Sequence, residues 1–427
     1  MPENALTILE ERGCVEWCSS PVELAAVFEE EMVTGYVGFD PTADSLHVGH
    51  LIPIMGLSWM QRLGHRPIAI AGCGTGLIGD PSGKSKERNL LTLEQVEKNM
   101  ETVKEQFRQF LDFDCGANSA MIINNYDWLG KLSFIDFLRD TGKHFSVNYM
   151  IGREYVRSRL EDPEKSISYT EFSYMLMQAY DFYHLFKEIG CKLQMGGNDQ
   201  QGNIIAGIDL IRKKTGGQAF GVTYPLLLTA TGQKFGKTEE GTVWLSPGKT
   251  SPYKFYQFWI NADDRDVEKF LKLFTFHPLP DIASLVERHQ KAPAGREAQR
   301  VLAWEVTSAV HGIKAATRAK RASEILFGGV FDPSELDSEM LPVLREEVPS
   351  GRMDGDPENV VEALVGSGAC KSKGEARRLI RGGGVMLNGR KVESEDASLG
   401  AEDFLEDRFL FFRLGKKRFH IAERPRS

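Results

Sequence analysis

Two histidines three residues apart, His47 and His50, stand in the stretch PTADSLHVGH (41–50), between a short apolar run and a helical pattern. Imidazoles at the start of a helix share that end with unsatisfied backbone N–H groups and the positive pole of the helix dipole, an arrangement that draws anions. There they can donate hydrogen bonds to a phosphate whose charge grows during in-line attack. Gly49 between them lets a nucleotide approach the backbone closely. Much later, KFGKT (234–238) lies in a Gly-rich turn flanked by Thr231-Gly232 and Gly241. Two lysines around a glycine can close over a polyphosphate as point charges, and a moving loop suits charge that appears only in the transition state. Each signal is weak by itself. Together they point to chemistry on a triphosphate.

A third constellation lies on one predicted helix, 173–189, where Tyr174, Gln178 and Asp181 fall at i, i+4 and i+7 and so share a face. A polar stripe on an otherwise apolar helix either faces solvent or, if buried, needs a polar ligand to satisfy it. GDPSGKS (79–85) imitates a phosphate-binding P-loop, but Ile78 occupies the position where that pattern requires glycine. Lys84 and Arg88 remain candidate phosphate ligands on a loop.

The elements that must position these groups are legible in outline. Over residues 1–230, short apolar runs at 36–39, 67–71, 121–123 and 192–195 alternate with helical patterns at 50–63, 92–111, 173–189 and 201–214. Such alternation predicts an α/β fold: a mostly parallel sheet with helices on both faces and ligands at the carboxyl ends of the strands. From about 250 to 325 only amphipathic helical patterns remain, which predicts a helical domain over 231–328. Residues 329–358, rich in Pro, Asp, Glu and Ser, are expected to be a linker. Residues 359–427 read as a small α+β domain, with a hairpin turning at Asn388-Gly389.

At 427 residues several domains are expected. No run is long and apolar enough for a membrane span, and the N-terminus shows no secretory pattern, so a cytoplasmic protein is expected. The six cysteines form no CxxC pair and are expected to be reduced structural thiols, with no metal site. The net charge of −8 hides an asymmetry: residues 367–427 hold 14 Lys and Arg against 9 Asp and Glu, a balance of +5. Lys371, Lys373, Arg377, Arg378 and Arg381 cluster on one helix and its leading loop, and Arg390 and Lys391 follow the hairpin. Only this tail looks ready for nucleic-acid phosphates.

HVGH with KFGKT resembles the two signature motifs of class I aminoacyl-tRNA synthetases. Tyr36, GFDPTADSLHVGH (38–50), TGLIGDPSGK (75–84), YTEFSYMLMQAYDF (169–182) and GGNDQQGN (196–203) resemble, within that class, the bacterial tyrosyl-tRNA synthetase family. The resemblance implies a Rossmann-like catalytic domain that forms tyrosyl-adenylate from L-tyrosine and ATP, then transfers tyrosine to tRNA(Tyr). It implies that Thr42, His47 and His50 stabilise charge at the ATP phosphates. Lys84, Arg88, Lys234, Lys237 and Thr238 would close over pyrophosphate. Asp80, Tyr174 and Gln178 would hold the amino group, Tyr36 and Asp181 the phenol hydroxyl, and Gln200 would lie near the carboxylate. Gly38, Asp40, Gly49, Gly196, Gly197 and Asp199 would line the adenosine side.

Magnesium is implied with ATP, held by phosphates and water rather than by a dedicated protein site. A homodimer joined largely through 130–160 is implied, as are a helical domain reaching the anticodon and a tail similar to a small RNA-binding module of a ribosomal protein. No editing domain is expected. Val48, Cys73-Gly74 and Gln201 depart from the commoner residues of the family without removing a group of chemical role. A small nucleotidyltransferase also uses HxGH, but it does not account for KFGKT, the helical stretch and the basic tail together. Against a tryptophanyl-tRNA synthetase stand Tyr36 and Asp181, which suit a phenol. A non-enzymatic RNA-binding factor does not account for intact histidines and lysines.

Overall fold

The computed structural model describes residues 4–82, 91–162, 166–238, 241–327, 336–415 and 418–425. Two compact units emerge, one of Met1–Thr250 with Ile260–Leu302, the other of Ser251–Trp259 with Ala303–Ser427.

The first unit is built on a six-stranded sheet of β1 (Trp17–Cys18), β2 (Thr34–Phe39), β3 (Arg66–Ala71), β4 (Met121–Asn124), β5 (Cys191–Gly197) and β6 (Phe220–Tyr224), in the order β1-β6-β5-β2-β3-β4. All pairings are parallel except that of β1 with β6. The four apolar runs expected as strands are β2 to β5. The sequence reading did not name β6, whose five residues are all buried. Gly221 interrupts its apolar pattern because a Cβ there would lie 2.3 Å from Ile204 Cγ2, so only glycine lets the covering helix approach.

From β2 the chain moves outward through β3 and β4, then returns to place β5 on the other side of β2. This is a topological switch point, and a crevice opens beyond the carboxyl ends of β2 and β5. Around the sheet pack α1 (Leu51–Arg62), α2 (Leu93–Phe107), α3 (Tyr169–Ile189) and α4 (Gln201–Thr215). Helix α3 starts four residues before its apolar pattern suggested. Ser168 and Glu171 form a capping box there, and Gly190 ends the helix at φ 67°.

Residues 250–325 are helical as expected, but they do not form one body. The helix α5 (Val267–Phe274) belongs with the sheet: the Arg12 guanidinium donates to the carbonyls of Lys272 and Thr275 at 3.0 and 2.9 Å.

In the second unit the expected linker is partly folded. Met340–Glu347 is a helix, and β9 (Ser350–Arg352) pairs in parallel with the last strand of a five-stranded sheet. The rest of that sheet is β10 (Val385–Leu387), β11 (Arg390–Lys391), β12 (Phe409–Leu414) and β13 (Arg418–Glu423). In the first unit, β7 (Lys237–Thr238) and β8 (Gly241–Thr242) form a separate antiparallel ladder. A polar strand edge of three residues carries too little apolar pattern to be seen in advance. The Asn388-Gly389 turn does form, with φ of 46° and 81°, the positive pair a two-residue hairpin requires.

Glu171 does more than cap α3. Its Oε1 lies 2.7 Å from Arg159 Nη1, and both side chains are buried. Removing one partner of such a pair strands a buried charge, at a cost of about 3–5 kcal/mol. Arg159→Met should therefore lower the urea midpoint of the first unit, and adding Glu171→Gln should restore most of it. Unfolding followed by tryptophan fluorescence checks both.

Candidate active site

A cavity of about 450 Å³ occupies the crevice. Its walls bring together Tyr36, Gly38, Asp40, Thr42, His47, Gly49, His50, Asp80, Tyr174, Gln178, Asp181, Gly196, Gly197, Asp199, Gln200 and Lys234. Lys84 and Arg88 lie outside the described residues. Lys237 and Thr238 come three and four residues after Lys234, and their backbone pairs with Gly241–Thr242. The basic residues from Lys371 to Lys391 belong to the second unit.

At one end of the cavity sits Asp181, only 3% exposed. Asn125 Nδ2 donates to its Oδ2 at 2.9 Å and Trp128 Nε1 to its Oδ1 at 2.7 Å. Burial pushes this carboxyl up to about 7, although both donors favour the charged form and pull the other way. Asn125 is oriented without ambiguity, because its Oδ1 accepts from Gly74 N at 2.7 Å. Its Nδ2 also donates to Thr75 Oγ1, whose hydroxyl donates to Asp40 Oδ1 at 2.8 Å. Tyr174 Oη donates to the other oxygen of Asp40 at 3.1 Å. Asp40 and Asp181 are thus tied together through Thr75 and Asn125.

Facing Asp181 is Tyr36, 2% exposed, whose hydroxyl finds no hydrogen-bond partner among the described residues. Desolvation, reinforced by Asp181, holds this phenol far above its ordinary value, so it remains a neutral donor. A second polar group gathers where α3 meets α4. Gln200 Nε2 donates to Asp80 Oδ2 at 2.7 Å, and Asn203 Nδ2 donates to Gln178 Oε1 at 2.9 Å. Desolvation raises the Asp80 carboxyl as well.

The histidine loop forms the opposite end. His47 Nδ1 accepts from Gly49 N at 3.0 Å, and His50 Nδ1 accepts from His47 N at 3.1 Å. The rings stack at 3.9 Å. With Nδ1 accepting in both rings, each neutral imidazole carries its proton on Nε2 and is a donor there. Desolvation, then His47, hold His50 well below the ordinary imidazole range, so it stays neutral. Glycine is required at 49, where a Cβ would meet the His47 ring at 2.8 Å. At Gly38 a Cβ would meet nothing within 4 Å, so open space lies directly over that backbone.

The histidine loop and the lysine loop are packed on each other. Val48 N donates to Val243 O at 3.0 Å and Leu245 N to Leu46 O at 2.8 Å. Gly236, at φ 81°, sits so close to Val48 that a Cβ would lie 2.5 Å from its Cγ2. The sequence reading missed Asn125, Trp128, Thr75 and Asn203 as site residues. Asn125 was findable, since it follows a strand end on the ligand side of a parallel sheet.

The cavity is therefore bipolar, with buried carboxylates at one end and neutral donors and Lys234 at the other. Paired HxGH and lysine loops at the switch point of a parallel sheet define a class I aminoacyl-tRNA synthetase. The profile of the class I tRNA synthetases (W and Y) matches residues 29–328, and that of the tyrosine–tRNA ligase SYY-like C-terminal domain matches 340–422. The tyrosine–tRNA ligase of Roseiflexus castenholzii is 50% identical over 425 residues, spanning 97% of this chain and 99% of that protein. That of Geobacillus stearothermophilus is 51% identical over 419 residues, spanning 98% and 99%. A C-terminally truncated mitochondrial tyrosyl-tRNA synthetase of Aspergillus nidulans superposes with a TM-score of 0.69 at 32% identity, covering 76% of this chain and 94% of that one. The chain belongs to the tyrosyl-tRNA synthetase family.

Asp181 generates a test independent of any ligand. An unfolded aspartate titrates near ~3.9, whereas this one titrates at about 7 in the folded state. The folded state holds the proton more tightly, so this group's contribution to stability is full below the unfolded value and is lost as pH rises through 7. The melting temperature of the wild type relative to Asp181→Asn should fall between pH 4 and pH 8. Melts at both pH values measure it.

Proposed function

We propose that the cavity activates L-tyrosine with ATP and that the chain then transfers the tyrosyl group to tRNA(Tyr). The observation that carries this reading is the pair formed by the buried Tyr36 hydroxyl, unpartnered among the described residues, and the Asp181 carboxylate. A phenol hydroxyl supplies an acceptor for the first and a donor for the second. Phenylalanine leaves both unpaired, at a cost of several kcal/mol.

The rest of the ligand follows the polarity of the walls. The ammonium lies by Asp80, Tyr174 and Gln178, and the carboxylate lies near Gln200. Adenosine lies over Gly38, Gly49, Gly196 and Gly197, beside Asp40 and Asp199. The tyrosine carboxylate attacks the α-phosphate of ATP, and the bond to pyrophosphate breaks. Thr42 and the Nε2–H groups of His47 and His50 stabilise the charge that develops, and the neutral His50 ring avoids holding ground-state ATP too tightly. Lys234, with Lys84, Arg88, Lys237 and Thr238, takes the departing pyrophosphate. A ribose hydroxyl of the terminal adenosine of tRNA then attacks the adenylate carbonyl and releases AMP.

Asp40, Asp80 and Asp181 already accept hydrogen bonds from neighbouring side chains. A magnesium ion arriving with ATP would be held largely by phosphate oxygens and water. Burial raises the thiols of Cys14, Cys73 and Cys191 well above their ordinary value, so none of the three is poised as a nucleophile.

Phe134, Ile135, Val147, Leu160 and Tyr169 are each more than half exposed. Four of these exposed apolar side chains lie within segment 130–160, which fits a contact with a second copy of the chain. Among the described residues no helix is long and apolar enough to cross a membrane, and we place the reaction in the cytoplasm.

The basic helix α6 (Lys373–Arg381) fits RNA phosphates. Some of its charge is committed: Arg377 and Arg381 pair with Glu395, and Lys373 pairs with Glu362. Arg378, Lys371, Arg390 and Lys391 are exposed and carry the phosphate contact in this reading, while the helical residues between 250 and 325 reach toward the anticodon.

Tyrosine-dependent ATP–pyrophosphate exchange should exceed that with phenylalanine by roughly 10⁴–10⁵-fold, a range known from this enzyme family rather than derived from the geometry. His50→Ala should cut exchange by about 10²-fold or more while tyrosine affinity stays within about twofold. Comparable rates with phenylalanine, or equal losses of rate and affinity, reject the assignment. For the tail, replacing Lys371 and Arg378 by Ala should leave exchange intact and weaken tRNA binding. It should also flatten the salt dependence of binding by roughly two contacts, as read from filter binding across a salt series.

A further inference from the structure

Two side chains that no step above uses tie the hairpin ahead of KFGKT to a single helix. The hairpin is tight: Thr229 N donates to Gln233 O at 2.9 Å, Gly232 N donates to Thr229 O at 2.8 Å, and Gly232 takes φ 80°. At its tip the Ala230 N–H donates to Asp266 Oδ2 at 2.7 Å. Asp266 is 7% exposed and stands at the N-cap of α5, yet its side chain does not cap that helix. A carboxylate is costly to withdraw from water unless it accepts strong hydrogen bonds, and this one turns outward to the hairpin instead of inward to its own helix. The second tie is Phe235. Its ring stacks on Phe274 at 5.4 Å and packs against Phe270 at 5.0 Å, both on α5. Lys234, exposed and on the cavity wall, lies in sequence between the two anchors. Helix α5 is in turn clamped by Arg12 to the unit that carries the sheet.

We propose that Asp266 is a positioning residue for adenylate formation: its carboxylate latches the hairpin at Ala230 and so sets the place from which Lys234 meets the phosphates. The inference rests on the reading that this cavity activates tyrosine with ATP. A lysine on a long stem acts as a point charge, and its contribution depends on where its backbone is held. Displacing such a group by about 1 Å costs on the order of 10²-fold in rate. The substrate tyrosine binds at the carboxylate end, so loss of the latch is felt in the chemical step and not in tyrosine affinity.

The test uses the full chain with Asp266→Ala and Asp266→Asn, the latter keeping an oxygen that can accept from Ala230. Asp266→Ala should lower the kcat of tyrosine-dependent pyrophosphate exchange by roughly tenfold to a hundredfold. Its tyrosine Kd should stay within about twofold of the wild type, and trypsin should cut after Lys234 faster. Asp266→Asn should recover kcat to within a few-fold. Wild-type kcat in Asp266→Ala, matched losses of kcat and tyrosine affinity, or an asparagine variant as impaired as the alanine one each overturn the latch. Hydrogen exchange in the wild type needs no variant: the Ala230 amide should be protected relative to that of Thr231, and equal rates overturn the proposal. Absence of tyrosine-dependent exchange in the wild type would instead reject the underlying reading.

Discussion

A carboxylate almost wholly withdrawn from water, Asp181, makes the largest demand on the rest of the structure. Its charged form survives near neutrality only because Asn125 and Trp128 point N–H groups at its two oxygens. That requirement fixes the end of β4, where Asn125 stands, and the face of α3, where Asp181 shares a stripe with Tyr174 and Gln178. It also reaches the nucleotide side, since Asn125 and Thr75 join Asp181 to Asp40. A network with every donor committed leaves one direction open, toward Tyr36. Selectivity for a hydroxyl is thus a property of the whole connected set, not of two residues.

The phosphate end solves the opposite problem. A cavity that held ATP with fixed cations would bind ground state and transition state alike, and only differential binding accelerates the reaction. The two histidines are stacked, and His50, kept neutral by desolvation, exposes Nε2 as a donor, so it contributes a dipole that gains value as charge develops. The full positive charges stand on a separate loop, packed against the histidine loop through Gly236 and Val48. Glycine at 236 is dictated by that contact and by its φ of 81°, so the spacing of KFGKT records a packing constraint as well as a chemical one.

Much of this was visible before any coordinates. Strands β2 to β5 follow from short apolar runs bounded by turn residues and helices α1 to α4 from the helical patterns between them, and 16 of the proposed site residues line one cavity. What escaped detection has a common cause. Trp128 and Thr75 act through Asp181 and Asp40, and a side chain whose partner is another side chain leaves no periodic or compositional trace. Strand β6 was hidden by Gly221, whose missing side chain serves the approach of Ile204. The polar strand β9 was hidden because parallel pairing to β13 supplies its order, not its own residues.

Residues 250–325 show how helical pattern and domain membership come apart. Periodicity states that α5 has an apolar face; it does not state against what that face packs. In the structure Phe270 and Phe274 receive Phe235 from the lysine loop, while Arg12 holds the carbonyls of Lys272 and Thr275 at the C-terminal end of the helix. A loop that must present lysines to a triphosphate and later release pyrophosphate cannot be buried in the sheet that binds the substrate. It needs an independent, rigid neighbour. Helix α5 supplies one within the same compact unit, whereas the helical residues Ser251–Trp259 just before it in sequence belong to the other.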